Sequence, residues 1–243
     1  MHFHPARLLP LLAATCLLVA GAAKAQSAEA GLPSGLTAAQ IVDQIQRHNQ
    51  ERNQALKQYK ALRHYQVEYH GFSANIVGKM DVELSFDAAT GKSFRIVSQS
   101  GSKMLCEKVL KRAVDSEKEA SQDKRQTALT PANYRFRLAG SETLDGRPSY
   151  ILEVEPLVES KFLYRGKVWV DAADFAVVKL EVEPAKNPSF WITRTHIHST
   201  HTHAGGFWLP AQNRSVTKVR IGGTAILTID YGTYQTVPDQ LRP

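Results

Sequence analysis

Four histidines fall within eight residues of the chain, in Thr195-His196-Ile197-His198-Ser199-Thr200-His201-Thr202-His203. Side chains at i and i+2 of a strand project from one face. His196 with His198, and His201 with His203 across a bend, could therefore offer four imidazole nitrogens to a borderline-soft metal. Structural zinc sites usually mix in cysteine and catalytic ones work beside a carboxylate base, and neither lies nearby in sequence. The competing reading puts His196 and His198 on the solvated face of a strand that runs into the turn Ala204-Gly205-Gly206.

Other constellations offer less chemistry. There is no Gly-x-Ser-x-Gly elbow and no His-Glu-x-x-His pair of metal ligands. Cys106 falls on the apolar side of a predicted helix, where a buried and inert thiol is expected. Glu153 with Glu155, and Glu181 with Glu183, alternate with apolar residues, so they read as the wet face of strands rather than as a general acid and base. Gly205-Gly206 and Gly222-Gly223 are isolated turn pairs, not phosphate loops. The residues point to a non-enzyme with no cofactor.

The elements that position these residues change period along the chain. Thr37-Ala-Ala-Gln40 has the spacing of a capping box. Ile41, Ile45, His48, Arg52, Ala55, Tyr59 and Leu62 then follow at steps of three or four, which predicts a helix with one narrow apolar stripe. From about Arg63 the period becomes two, and Met80, Val82, Leu84 and Phe86 alternate with Asp81, Glu83 and Ser85. Similar runs recur to Tyr231, separated by turn signals such as Asp145-Gly146 and Gly222-Gly223. One helical segment interrupts them, from 102 to about 122, with Ser102 as N-cap and Leu105, Cys106, Val109, Leu110 and Ala113 on its apolar side. Its charged tail, 116 to 126, reads as a solvated helix end, or alternatively as a surface through which an envelope sensor or scaffold binds a partner protein.

Nine or ten short antiparallel strands with two helices predict an α+β domain that is mainly β. The expected form is a curved antiparallel sheet, an unclosed half-barrel, with the helices on its concave face. Met80, Val82, Leu84, Phe86, Leu152, Val154, Val168, Val170, Val178, Leu180, Val182, Leu227 and Ile229 are the inward candidates. They are almost all aliphatic, which suits an acyl-chain cavity as well as a filled core.

Residues 1–25 read as a secretory signal peptide, with an apolar run from Leu8 to Ala23 and the small-x-small site Ala23-Lys24-Ala25. Cleavage after Ala25 predicts a periplasmic protein, with a flexible stretch over 26–36 and one domain over 37–243. The chain carries 30 basic and 23 acidic residues, a formal charge of +7. Removing Arg7 and Lys24 leaves +5, which excludes no anionic lipid surface but shows no basic stripe interleaved with aromatics of the kind nucleic acid requires. Cys106 is the one cysteine left, so no internal disulfide is expected. A monomer is the expected state.

Four stretches carry a resemblance: Asp145-Gly-Arg-Pro-Ser-Tyr-Ile-Leu-Glu-Val-Glu-Pro156, Tyr164-Arg-Gly-Lys-Val-Trp-Val-Asp171, Asp174-Phe-Ala-Val-Val-Lys-Leu-Glu181 and Gly206-Phe-Trp-Leu-Pro210. Together they resemble the LolA/LolB-like superfamily of outer-membrane lipoprotein-sorting proteins. The resemblance implies an unclosed half-barrel with helices as a lid over an apolar cavity, and an acyl lipid or lipoprotein as ligand. It implies motif roles in packing or at the rim for Trp169 and Trp208, and Asp171 is read as starting a turn. A cavity arginine of the carrier's kind is not placed by the motifs.

Overall fold

Thr37 begins the first helix by the mechanism its spacing predicts. In the computed structural model, which describes residues 35–71, 75–122, 124–187, 189–220 and 222–238, the Thr37 hydroxyl accepts from the Gln40 N–H at 3.3 Å. Gln40 Oε1 accepts in return from the Thr37 N–H at 2.8 Å. Helix α1 (Ala38–Ala55) then buries Ile41, Val42 and Ile45. The signal peptide and most of the 26–36 stretch lie outside the described residues. No described helix is long and apolar enough to cross a membrane.

The helix stops earlier than its stripe suggests. Strand β1 (Leu56–His70) follows α1 directly, so Tyr59 and Leu62 belong to a strand and not to the last turns of a helix. Tyr59, Ala61, Arg63, Tyr65 and Val67 form its buried face, while Leu62 is exposed on the other. A charged residue in the middle of that buried alternation hid the strand from a period-two reading.

Strands β2 (Asn75–Asp87) and β3 (Gly91–Gly101) complete a meander with β1. The helical segment follows as α2 (Lys103–Leu105), a π-helical turn (Cys106–Leu110), α3 (Lys111–Gln122) and α4 (Lys124–Thr127), with Ser102 capping its start as expected. The second strand series is β4 (Tyr134–Leu144), β5 (Arg147–Pro156), β6 (Tyr164–Asp171), β7 (Val177–Pro184), β8 (Ile192–Ala204), β9 (Phe207–Val219), β10 (Thr224–Asp230) and β11 (Gln235–Pro238). Eleven strands among the described residues exceed the nine or ten expected. Their order is β3-β2-β1-β10-β9-β8-β7-β6-β5-β4, with β11 also paired to β1, and every pairing is antiparallel.

The sheet does not close, because β3 and β4 are its two edges. The only described connection between those edges is the helical segment with residues 128–133, so helix rather than strand spans the open side. Asp145 and Gly146 both have positive φ, 49° and 79°, which matches the twist of the two-residue turn joining β4 to β5. At Gly166, φ is 139° and a Cβ would lie 2.4 Å from the Glu181 carbonyl oxygen, so β6 approaches β7 there as only glycine allows. This is the unclosed half-barrel with helices that the resemblance implies.

Two apolar clusters hold the concave face. Under α1, Ile41, Val42 and Ile45 pack with Tyr150, Leu152, Val154, Leu163, Val168 and Val170. Under the helical segment, Leu105, Cys106, Leu110 and Val114 pack with Tyr65, Val67, Met80, Val82, Ile229 and Tyr231.

Candidate functional site

Nine of the thirteen inward candidates divide between these clusters. Leu152, Val154, Val168 and Val170 belong to the α1 cluster with Leu180 packed against it, and Met80, Val82 and Ile229 belong to the other with Leu227 beside it. Leu84, Val178 and Val182 are also buried, whereas Phe86 is half-buried and stacks on Tyr59 with ring centroids 5.0 Å apart. A polar strip separates the two halves. Continuing in register from Leu180 and Val182, the concave face runs over Ser199 and Ile197 of β8 and then Asn213 and Ser215 of β9. Only after these does it become apolar again at Ile229 and Leu227. Thr195 and Thr217 join the strip through their hydroxyls, 3.0 Å apart.

The cluster under the helical segment contains a charge that sequence reasoning missed. Arg63 projects from β1 into it and is 1% exposed. Its Nη1 donates to Glu117 Oε2 of α3 at 2.6 Å, and Lys92 Nζ of β3 reaches the other oxygen at 2.9 Å. The guanidinium lies 4.4 Å above the Tyr231 ring. Burial works most strongly against its charge, but Glu117 together with Tyr231 and Tyr65 outweighs that and holds the pKa above its ordinary value. Burial likewise opposes ionisation of Glu117, yet Lys92 and Arg63 bring its pKa below the ordinary value. Burial pushes Tyr59 up to about 12. Arg63 Nε and the Tyr65 hydroxyl are buried with no partner at hydrogen-bond geometry. The helix is thus fastened to the sheet by one buried ion pair set in a ring of tyrosines.

A second network fixes the opposite cover. Asp171 Oδ2 and Oδ1 accept from Arg147 at 2.6 and 2.8 Å, and Oδ1 also accepts from the Ala173 and Asp174 N–H groups. Burial opposes its ionisation, but these bonds prevail and lower its pKa. Asp174 accepts from Arg147 and from Trp208 Nε1 at 2.7 and 2.8 Å. Arg52 of α1 donates to the Asp174 and Phe175 carbonyls, and Phe175, at φ 46°, stacks on His48. Asp171 and Trp208, both singled out in the sequence, are parts of this corner. Trp169 is buried elsewhere, donating to Glu142 at 2.6 Å beneath Lys179.

The outer face explains the histidines. Arg137, Glu153, Lys167, Glu181, His198 and Arg214 lie opposite one another on six successive strands, and Arg135, Glu155, Arg165, Glu183 and His196 form a parallel row. A groove of about 780 Å³ runs between the rows, over Val154, Gly166 and Val182. His196 Nδ1 lies 3.0 Å from Glu183 and His198 Nδ1 3.6 Å from Glu181, so His196 ends one row and His198 sits between Glu181 and Arg214 in the other. Hydrogen bonds from Lys179 and Arg194 hold Glu181 and Glu183 below the ordinary carboxylate pKa.

The four imidazoles do not converge. A register shift between Thr200 and His201 breaks the alternation. His201 turns into partial burial beside the Val178 backbone, and burial lowers its pKa to about 4. His203 packs edge-on against Trp208 at 5.4 Å. Among the described residues no group of three or more His, Cys, Asp or Glu is arranged to hold a metal.

No family model matches the chain, and no curated protein matches it. Solved structures with a related arrangement include a DUF1329 family protein from Desulfovibrio piger, 14% identical, covering 86% of this chain and 96% of that one at a TM-score of 0.41. A LolA superfamily protein from Nitrosomonas europaea is 12% identical over 85% of this chain and 97% of that one, at 0.35. The Pseudomonas aeruginosa MucA/MucB complex contains a chain 10% identical over 81% of this chain and 98% of its own, at 0.27. These are distant likenesses of fold, and they assign no ligand.

Proposed function

We propose that this chain is a periplasmic carrier that holds one acyl chain of a lipid or lipoprotein on the concave face of its half-barrel. The observation that supports this reading most is the helical closure of the open side. Because β3 and β4 are joined by helix and not by ladder hydrogen bonds, the cluster at Met80, Val82, Leu227 and Ile229 can be reached by shifting a cover, with the sheet intact. The polar strip on β8 and β9 favours the half under the helical segment over a path across the whole face, since crossing it would bury hydroxyls against hydrocarbon. Fourteen methylenes at about 0.8 kcal/mol each would contribute on the order of 10 kcal/mol gross, enough for capture and still reversible after ordering costs.

Reading the 116–126 segment as a partner-binding surface receives less support. Glu117 is committed to Arg63 and Lys92, and Glu119 to Lys161 at 2.9 Å, so these two acids fasten the segment to its own chain. The test is binding of a fluorescent fatty acid, with native mass spectrometry of protein purified from the envelope. Saturable uptake that Met80→Asp abolishes in a folded variant is expected. The absence of both uptake and co-purifying lipid would refute the carrier reading.

A further inference from the structure

One rim of the sheet is apolar where a water-facing loop end is ordinarily polar. Phe190 and Trp191, between β7 and β8, are 70% and 56% exposed, and Leu157 and Val158, between β5 and β6, are 45% and 63% exposed. The two loops leave the same end of the sheet side by side: Tyr164 lies opposite Pro184, and the Ala185 N–H donates to the Leu163 carbonyl at 2.7 Å. Single exposed apolar residues need no explanation, but exposed pairs on two neighbouring loops at one end of the sheet do.

The aromatic pair is held outward by a cation. The Arg220 N–H donates to the Trp191 carbonyl at 2.8 Å, and its Nε donates to the Phe190 carbonyl at 3.0 Å. The Arg220 guanidinium lies 4.4 Å above the Phe190 ring, while Phe190 and Trp191 meet edge to face at 5.5 Å. Lys186 is exposed in the same loop, and among the described residues neither Lys186 nor Arg220 has a carboxylate partner.

We propose that this rim docks on an anionic bilayer surface, with Phe190, Trp191, Leu157 and Val158 entering the headgroup region and Lys186 and Arg220 meeting lipid phosphates. Tryptophan is suited to that boundary because its ring is apolar and its N–H polar, and long basic side chains keep their heads at the phosphate level while their stems lie in the apolar layer. Two separate loop tips fit a soft surface better than a protein interface, which needs a contiguous packed patch of about 800 Å² per partner. The outer-face groove does not compete for this role, because acidic and basic side chains alternate along its rows and none of its apolar lining residues is exposed.

Flotation with vesicles tests the proposal independently of acyl-chain binding. The whole protein is expected to float with phosphatidylcholine vesicles containing phosphatidylglycerol and to float poorly with phosphatidylcholine alone. Phe190→Ser with Trp191→Ser should abolish flotation. Each basic residue near an anionic surface contributes about fivefold to partitioning, so Lys186→Gln with Arg220→Gln should weaken it by about twentyfold or more. Both variants should melt as the parent does and keep its fatty-acid uptake, so a failed carrier reading and a failed docking surface give different results. No flotation of the parent, equal flotation with both vesicle types, or parental flotation of the aromatic variant would each overturn the proposal. The last result, if joined to loss of a bound protein, would assign the rim to a protein partner instead.

Discussion

Arg63 Nη1 lies 2.6 Å from Glu117 Oε2, joining the most buried charge of β1 to the helix that covers the open side of the sheet. A buried pair is a poor net source of stability, because desolvation cancels most of its attraction, but removing one partner leaves the other charge stranded. Arg63→Met should therefore cost roughly 3 kcal/mol. Arg63→Met with Glu117→Leu should recover much of that loss. Denaturant melts of the parent and these variants measure it, and a double variant no more stable than Arg63→Met would show that the stranded Glu117 charge is not what costs the stability.

The Asp171 corner should be comparably sensitive, and it is far from that pair. Asp171→Ala leaves Arg147 with Asp174 alone and strands two backbone N–H groups, and a charged hydrogen-bonded group lost from a buried position costs about 2 to 3 kcal/mol. Asp174→Ala removes an acceptor from Trp208 at a half-exposed position and should cost less, about 1 kcal/mol. A thermal melt of each is sufficient, and reversal of this order would mean that Asp174 and not Asp171 anchors the turn.

The strand series from Met80 to Tyr231 was legible because its wet and covered faces alternate cleanly, and the capping box at Thr37 was legible because it is local. The end of α1 was not. Tyr59 and Leu62 fit a helical step as well as a strand, and Arg63, placed where an apolar residue would have marked the strand, owes its burial to a carboxylate 54 positions away in the chain. The same limit applies to the histidines. His196 and His198 lie on the solvated face by simple alternation, but the partners Glu183 and Glu181 depend on cross-strand register, and the turn of His201 depends on a bulge. The polar strip of Ser199, Asn213 and Ser215 was present in the sequence, yet only the strand order β10-β9-β8-β7 places it between two apolar clusters.

His201 gives a pH dependence with a definite sign. Its folded pKa is about 4, below the ordinary value of 6.5, because burial disfavours the cation. Between those values the unfolded chain binds the proton and the folded chain does not, so stability rises with pH across this window and falls as the solution is acidified through it. His201→Gln should flatten the dependence of the denaturation midpoint between pH 6.5 and 4. An unchanged slope would show that His201 takes up its proton as readily in the folded chain as in the unfolded one; Glu117 and Asp171, with their lowered pKa values, lose their contribution only as the pH falls further.

Cys106 reports whether the cover moves on its own. Its thiol sits under the helical segment, 2% exposed, with Sγ 3.5 Å from the Ser100 carbonyl and 3.6 Å from that of Lys79. A maleimide can reach it only when the π-helical turn lifts from β2 and β3. If the segment opens locally, labelling in the native state is set by that opening and responds weakly to denaturant; if it opens only with the whole domain, labelling follows global unfolding. Glu117→Gln loosens the segment without touching the cysteine, and each 1.4 kcal/mol lost from the local opening free energy is about tenfold in labelling rate. The carrier mechanism requires the local regime, with labelling accelerated about tenfold or more in Glu117→Gln at low denaturant. Labelling that shares the denaturant dependence of the global melt in both proteins would leave the apolar cluster sealed in the folded state, and an acyl chain would then have no path to it.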